Sequence, residues 1–106
     1  MRRVENLEDV IDRINKNRKK LREFGVLKIG VFGSFAKNKV SENSDVDLLI
    51  EFKRGSMSFT KFVSLIDFLE NLFGREVDIL TPDGLRLMRS KSAKKNIENS
   101  IIYVWT

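Results

Sequence analysis

The sequence predicts an α+β fold, a small mixed β-sheet of three to four strands with helices packed on one side. Three observations predict it. Along the chain, apolar residues shift between three-to-four-residue spacing and short alternating runs, in the order helix, strand, strand, helix, strand, helix. The segments between strands are too long and too polar for a plain meander. The 106 residues, 42% of them hydrophobic, suffice for one core, so a single domain over 1–106 is expected.

The first helix is expected from Asn6 to Phe24, where Leu7, Val10, Ile11, Ile14 and Leu21 recur at helical steps. Asn6 is its cap, Asp9 favours the first turn, and Gly25 is its stop. The basic run Lys16-Asn17-Arg18-Lys19-Lys20 lies mostly off the apolar stripe and reads as a solvated face. Val26–Phe32, short and rich in β-formers, is a strand ended by Gly33-Ser34. A polar loop follows, with turn formers Asn38, Ser41, Asn43 and Ser44. Asp45–Phe52 is the next strand, its alternation placing Asp45, Asp47, Leu49 and Glu51 on one face and Val46, Leu48, Ile50 and Phe52 on the other.

A helix over Ser58–Phe73, closed by Gly74, carries Phe62, Leu65, Ile66, Leu69, Leu72 and Phe73 on its apolar side. Phe59 and Phe68 share its helical spacing and are also read as core. Glu76–Leu80 is a third strand, ended by a turn at Thr81-Pro82-Asp83-Gly84. A last helix is expected from Leu85 to Asn99. It leads into Ile101–Trp105, which is either a short strand or a docked extension.

Composition removes much chemistry. There is no Cys and no His, hence no disulfide, no thiolate nucleophile, no zinc site of the usual kind and no Ser-His-Asp triad. Catalysis is left to carboxylates, Lys and Arg, hydroxyls and a bound metal. The net charge of +5 suits a partner with phosphates or acidic side chains, yet is mild for a dedicated nucleic-acid binder, so direct nucleic-acid binding is not expected. No run approaches the roughly 20 apolar residues of a membrane span. Arg2-Arg3 is followed by no apolar stretch, so a cytoplasmic protein without a signal peptide is expected.

The chemistry is expected at the acids. Asp45 and Asp47, two apart in a strand, project from one face roughly 6 to 7 Å apart along the chain. Paired carboxylates repel and resist burial, which a divalent ion offsets. Alone, the pair reads equally well as a wet edge strand protected against aggregation. Asp78, inside Glu76-Val77-Asp78-Ile79-Leu80, changes the balance: if that strand lies beside the first two acids, three carboxylates converge and suit Mg²⁺ (one or two ions) with phosphate oxygens. Gly33-Ser34, at a strand end before a polar loop, supplies close backbone approach and a hydroxyl for a phosphate. Lys37, one turn on, is either a phosphate contact or an exposed lysine. Glu51 reads as a surface charge. Tyr103 and Trp105 either dock on the core or face a partner.

Gly33-Ser34, ten residues, then Asp45-Val46-Asp47 resembles the signature of the DNA polymerase β-like nucleotidyltransferases. Val31–Ala36, Asn43–Phe52, Glu76–Pro82 and Tyr103-Val104-Trp105 are similar to its minimal nucleotidyltransferase branch, so the resemblance spans nearly the whole chain. It implies the polymerase β-like nucleotidyltransferase fold, with Asp45 and Asp47 holding Mg²⁺ against an ATP triphosphate cradled at Gly33-Ser34. By the same resemblance Asp78 is a further metal ligand or activates the acceptor hydroxyl. Many relatives read Ala-Arg-Gly where this chain has Ala36-Lys37-Asn38, which puts phosphate or acceptor contacts of that loop in question.

The resemblance further implies AMP transfer from ATP to a protein hydroxyl. The partner would be a HEPN-domain toxin, a ribonuclease neutralised by adenylylation of a tyrosine within a HEPN/MNT toxin–antitoxin pair, in a hetero-oligomer. Two alternatives stand beside this. One is a catalytically silent antitoxin acting by contact; the other is nucleotidyl transfer to RNA or a small molecule.

Overall fold

The computed structural model describes residues 2–105 as a four-stranded mixed sheet with six helices among the described residues. The strands are β1 (Val26–Phe32), β2 (Val46–Phe52), β3 (Val77–Leu80) and β4 (Ile102–Trp105), in the order β3-β2-β1-β4. β1 is antiparallel to both β2 and β4, whereas β2 and β3 run parallel. A parallel pair needs a long crossover, and helix α4 (Phe59–Phe73) supplies it.

Alternation sorts the sheet into two faces. Ile29 and Val31 of β1 sit beside Ile50 and Leu48 of β2, and with Val46 they are fully buried. Against them pack Val10 and Ile14 of α1 (Leu7–Lys16), Leu21 of α2 (Arg18–Glu23), and Leu65, Leu69 and Phe73 of α4. The expected mixed sheet with a helical layer on one face is present, with four strands. Short helices α5 (Pro82–Arg86) and α6 (Lys91–Ser100) border the other, more polar face.

Several boundaries differ from the sequence reading, for local reasons. The helix expected over 6–24 breaks at Asn17, whose side-chain amide donates to the Arg13 carbonyl while its backbone N–H turns to Ile14. Asparagine competes in this way with the helical ladder. The expected caps hold: the Asn6 side chain accepts from the Asp9 amide, and Gly25 and Gly74 take φ of 86° and 67°. Thr81-Pro82-Asp83-Gly84 is not a turn but the cap and first turn of α5, with Thr81 accepting from the Gly84 amide and Pro82 opening the helix. The last helix therefore begins only at Lys91, capped by Ser90.

The C-terminal segment is a strand. Trp105 is buried, donates through Nε1 to the Leu27 carbonyl at 3.0 Å, and lies under the Arg18 and Arg22 guanidiniums; Tyr103 stays exposed beneath Lys28. Phe59 corrects the core reading, because it is 83% exposed. The first residue of α4, it lies about 110° around the helix from the Leu65–Leu69–Leu72 stripe, on the flank of the apolar face. Among the described residues no helix is long and apolar enough to cross a membrane.

Candidate active site

The polar face of the sheet carries Asp47, Leu49 and Glu51 of β2 with Asp78 and Leu80 of β3. The parallel register sets Asp47 directly beside Asp78. Strand alternation puts both side chains on the face away from the helical core. Asp45 precedes β2 by one residue, and the backbone there is tied to β3 by the Val46 amide, which donates to the Glu76 carbonyl at 2.9 Å.

The consequence is electrostatic. The Asp47 carboxyl is pushed up to about 6, first by burial, then by the negative charges of Asp78 and Asp45, and by its hydrogen-bonding reach to Asp78. Among the described residues, no lysine or arginine forms an ion pair with any of the three acids. The negative charge gathered here is thus left without an ion-paired cation among the described residues.

Gly33 closes the site from the side of β1. Phe32, the last residue of β1, pairs with Asp47, and Gly33 then turns the chain at φ 72°. A β-carbon at position 33 would fall onto the Asp47 carboxylate. Only glycine therefore lets the elbow backbone approach the acid. The one-turn helix α3 (Gly33–Ala36) follows and carries Ser34, which is half-buried.

Lys37 is exposed at the end of α3 and makes no hydrogen bond or ion pair through its side chain among the described residues. Its neighbour Asn38 takes φ 58°, the left-handed conformation that glycine would otherwise supply. The Lys39 amide reaches back to the Ser34 carbonyl at 2.9 Å, which completes a helix-ending motif of the Schellman type. The Lys-Asn replacement thus keeps a backbone that turns through a left-handed residue.

Among the described residues, no three acidic side chains stand as a ready-made cation cage. The donor chemistry nevertheless fits a hard divalent ion. All three candidate donors are carboxylates, one is destabilised by the charge of the others, and Mg²⁺ ordinarily takes only one or two carboxylates plus substrate phosphates. Farther along the same face lies an open depression of about 330 Å³, lined by residues that include Lys28, Leu49, Glu51, Arg86, Lys94 and Tyr103. Glu51 is exposed, as expected.

One important residue was not anticipated. Arg75 is buried and donates to the backbone carbonyls of Val4, in the N-terminal segment, and of Ser41 and Ser44, in the loop before Asp45. A lone arginine after a helix-stopping glycine carries no signal of burial; only the tertiary fold encloses it.

The sequence profile of the nucleotidyltransferase domain matches residues 11–104. The protein adenylyltransferase MntA of Thermococcus cleftensis is 36% identical over 99 residues, covering 92% of this chain and 95% of that protein. A Methanocaldococcus jannaschii relative that also carries an adenylyltransferase name is 32% identical over 103 residues, 95% of this chain and all of that one. Among solved structures, one named for a minimal nucleotidyltransferase superposes with a TM-score of 0.70 at 28% identity, covering 92% of this chain and 94% of that one. A toxin–antitoxin complex with AMP-PNP shares the fold at 19% identity and TM-score 0.61, over 94% of this chain and 73% of that one. So does the complex of a tri-AMPylated Shewanella oneidensis HEPN toxin with its MNT antitoxin, at 19% identity and 0.57, over 88% and 69%.

Proposed function

The chain belongs to the nucleotidyltransferase domain family, and from that premise we propose that it moves AMP from ATP to a hydroxyl of a protein acceptor, as the antitoxin that neutralises a HEPN ribonuclease toxin. The observation that carries the reading is the side-by-side register of Asp47 and Asp78 against the Gly33 elbow. Similarity to a protein adenylyltransferase, to a toxin–antitoxin complex with AMP-PNP and to the complex of an AMPylated HEPN toxin supports the acceptor class and ATP as donor.

Asp45 and Asp47 would hold Mg²⁺, with Asp78 as a third ligand. When bound, the ion offsets the charge of the triphosphate and of the pyrophosphate that leaves. The rest falls to the chain itself. Gly33 lets the backbone come close to the phosphates, and Ser34 offers them a hydroxyl. Lys37, on the exposed end of α3, is free to swing toward the same phosphates. Asp78, the most exposed of the three acids, would take the proton of the attacking hydroxyl. The depression beyond Leu49 has room for a nucleobase or a single amino-acid side chain.

The test is direct. The purified protein, ATP labelled at the α-phosphate, Mg²⁺ and a HEPN partner should yield covalently labelled partner. Asp45→Asn or Asp47→Asn should abolish the label. A doubly substituted protein that silences the partner as well as the wild type would establish action by contact alone. Label on RNA instead would establish a nucleic-acid acceptor.

A further inference from the structure

Arg75 is the buried charged residue among those described, and it forms no ion pair with Asp45, Asp47 or Asp78. Its side chain is 2% exposed. Nε donates to the Val4 carbonyl at 2.7 Å, and Nη1 donates to the carbonyls of Ser44 at 2.8 Å and Ser41 at 3.1 Å. The guanidinium carbon lies 5.2 Å from the centre of the Phe35 ring. Nη2 has no hydrogen-bond partner and faces Glu5 at 3.6 Å.

Val4 and Glu5 belong to the N-terminal segment, whereas the other partners border the site. Ser41 and Ser44 bracket the end of the loop that delivers Asp45. Phe35 follows Ser34 in the elbow helix. Arg75 itself stands three residues before Asp78. Arg3 grips the same loop from outside, donating to the Glu42 carbonyl at 3.0 Å and pairing with the Glu42 carboxylate.

We propose that Arg75 is a positioning residue for this site: it fixes the Ser41–Ser44 backbone and the Phe35 ring at once, and so sets how well Asp45 and the Gly33-Ser34 elbow receive a metal–triphosphate. The inference rests on reading Asp45 and Asp47 as metal ligands. An arginine is required because a planar fork spans carbonyls on separate segments while its face lies against a ring; an ammonium does one of these at a time. Groups that orient metal ligands from behind typically change metal affinity about 10- to 100-fold when removed.

The experiment compares Arg75→Gln, Arg75→Lys and Arg3→Ala with Arg13→Ala. Arg13 is a control of the same kind, because it donates to the Leu72 carbonyl at 2.8 Å outside the site. Affinity for Mn²⁺·AMP-PNP is measured by calorimetry, and exchange of the Asp45–Asp47 amides by hydrogen–deuterium exchange. Arg75→Gln should weaken affinity about tenfold or more, with Arg75→Lys recovering part of the loss. Arg13→Ala should lower the melting temperature yet leave affinity unchanged. A folded Arg75→Gln protein with wild-type affinity overturns the proposal.

Should Arg75→Gln fail to fold, Arg75→Lys and Arg3→Ala decide: weakened affinity in them supports the role, and wild-type affinity in both overturns it. A wild type that takes no Mn²⁺·AMP-PNP refutes the ligand reading instead. Amide exchange then still decides the positioning role. Faster exchange at Asp45–Asp47 in Arg75→Lys than in Arg13→Ala supports it, and equal exchange overturns it.

Discussion

Gly33 and Asp47 are packed so closely that a β-carbon on the glycine would collide with the carboxylate. Two constraints coincide there, a left-handed φ of 72° and the absence of any space for a side chain. Gly33→Ala should therefore cost about 2 kcal/mol or more of stability, from the backbone conformation and the displaced carboxylate together. Adenylyl transfer should fall below detection. Urea denaturation and labelled transfer check both halves, and an alanine variant as stable as the wild type would refute the geometry.

Asp47→Asn should separate stability from activity. The native carboxylate is half-buried and crowded by two like charges, so at neutral pH its ionisation opposes folding. Replacing it with an uncharged isostere should stabilise the metal-free protein at pH 7 by about 1 kcal/mol, allowing for partial solvent screening. The same change should abolish transfer. A lower denaturation midpoint for this variant would contradict the reading.

The pH dependence has a definite sign. In the folded chain Asp47 holds its proton up to about 6, above its ordinary value of 3.8. Between these values the folded state binds more protons than the unfolded chain, so the stabilisation present below pH 3.8 is lost as pH rises through 6. Difference curves between wild type and Asp47→Asn should therefore diverge over that window and level off above it. Apparent affinity for Mg²⁺ should show the opposite limb, weakening below pH 6 as protons compete with the ion for the Asp47 carboxylate.

Ligand binding should register as thermal stabilisation. At a hundredfold excess over its dissociation constant a ligand adds about 2.7 kcal/mol. For a domain of this size that raises the melting temperature on the order of 10 °C. Mg²⁺·AMP-PNP should produce such a rise in the wild type and none in Asp45→Asn. Chelating the metal should reverse it. Equal shifts in both proteins would remove Asp45 from the ligand set.

Asn38 gives a test that leaves the acids untouched. With φ 58°, Asn38→Ala should cost about 1 kcal/mol, while Asn38→Gly should be neutral or slightly stabilising. Thermal melts of the two variants suffice. If the alanine variant matches the wild type, the turn after α3 is not held in this conformation in solution.

Much of the architecture was legible because its signals are local. Alternation from Val46 to Phe52 is a property of seven consecutive residues, and it alone puts Asp47 on the polar face. Asn6, Ser58, Gly25 and Gly74 mark helix ends through their own side-chain or backbone chemistry. The helix breaks were less legible: Asn17 lies within a strong apolar period, and Thr81-Pro82 reads as readily as a turn as it does a cap.

By itself, then, the chain's order of residues determined the strands and the long crossover helix, the alternation that puts Asp47 on the polar face, and the glycine-serine elbow one loop earlier. The tertiary structure decided which strands are neighbours and in what register, and that choice half-buries Asp47 and sets Asp78 beside it, which together raise the proton affinity of Asp47. It also buried Arg75 against three distant carbonyls and left Phe59 in water. The reason is physical. Secondary structure follows from neighbours a few residues apart, whereas pairing and burial depend on how the apolar faces of α1, α4 and the sheet close on one another.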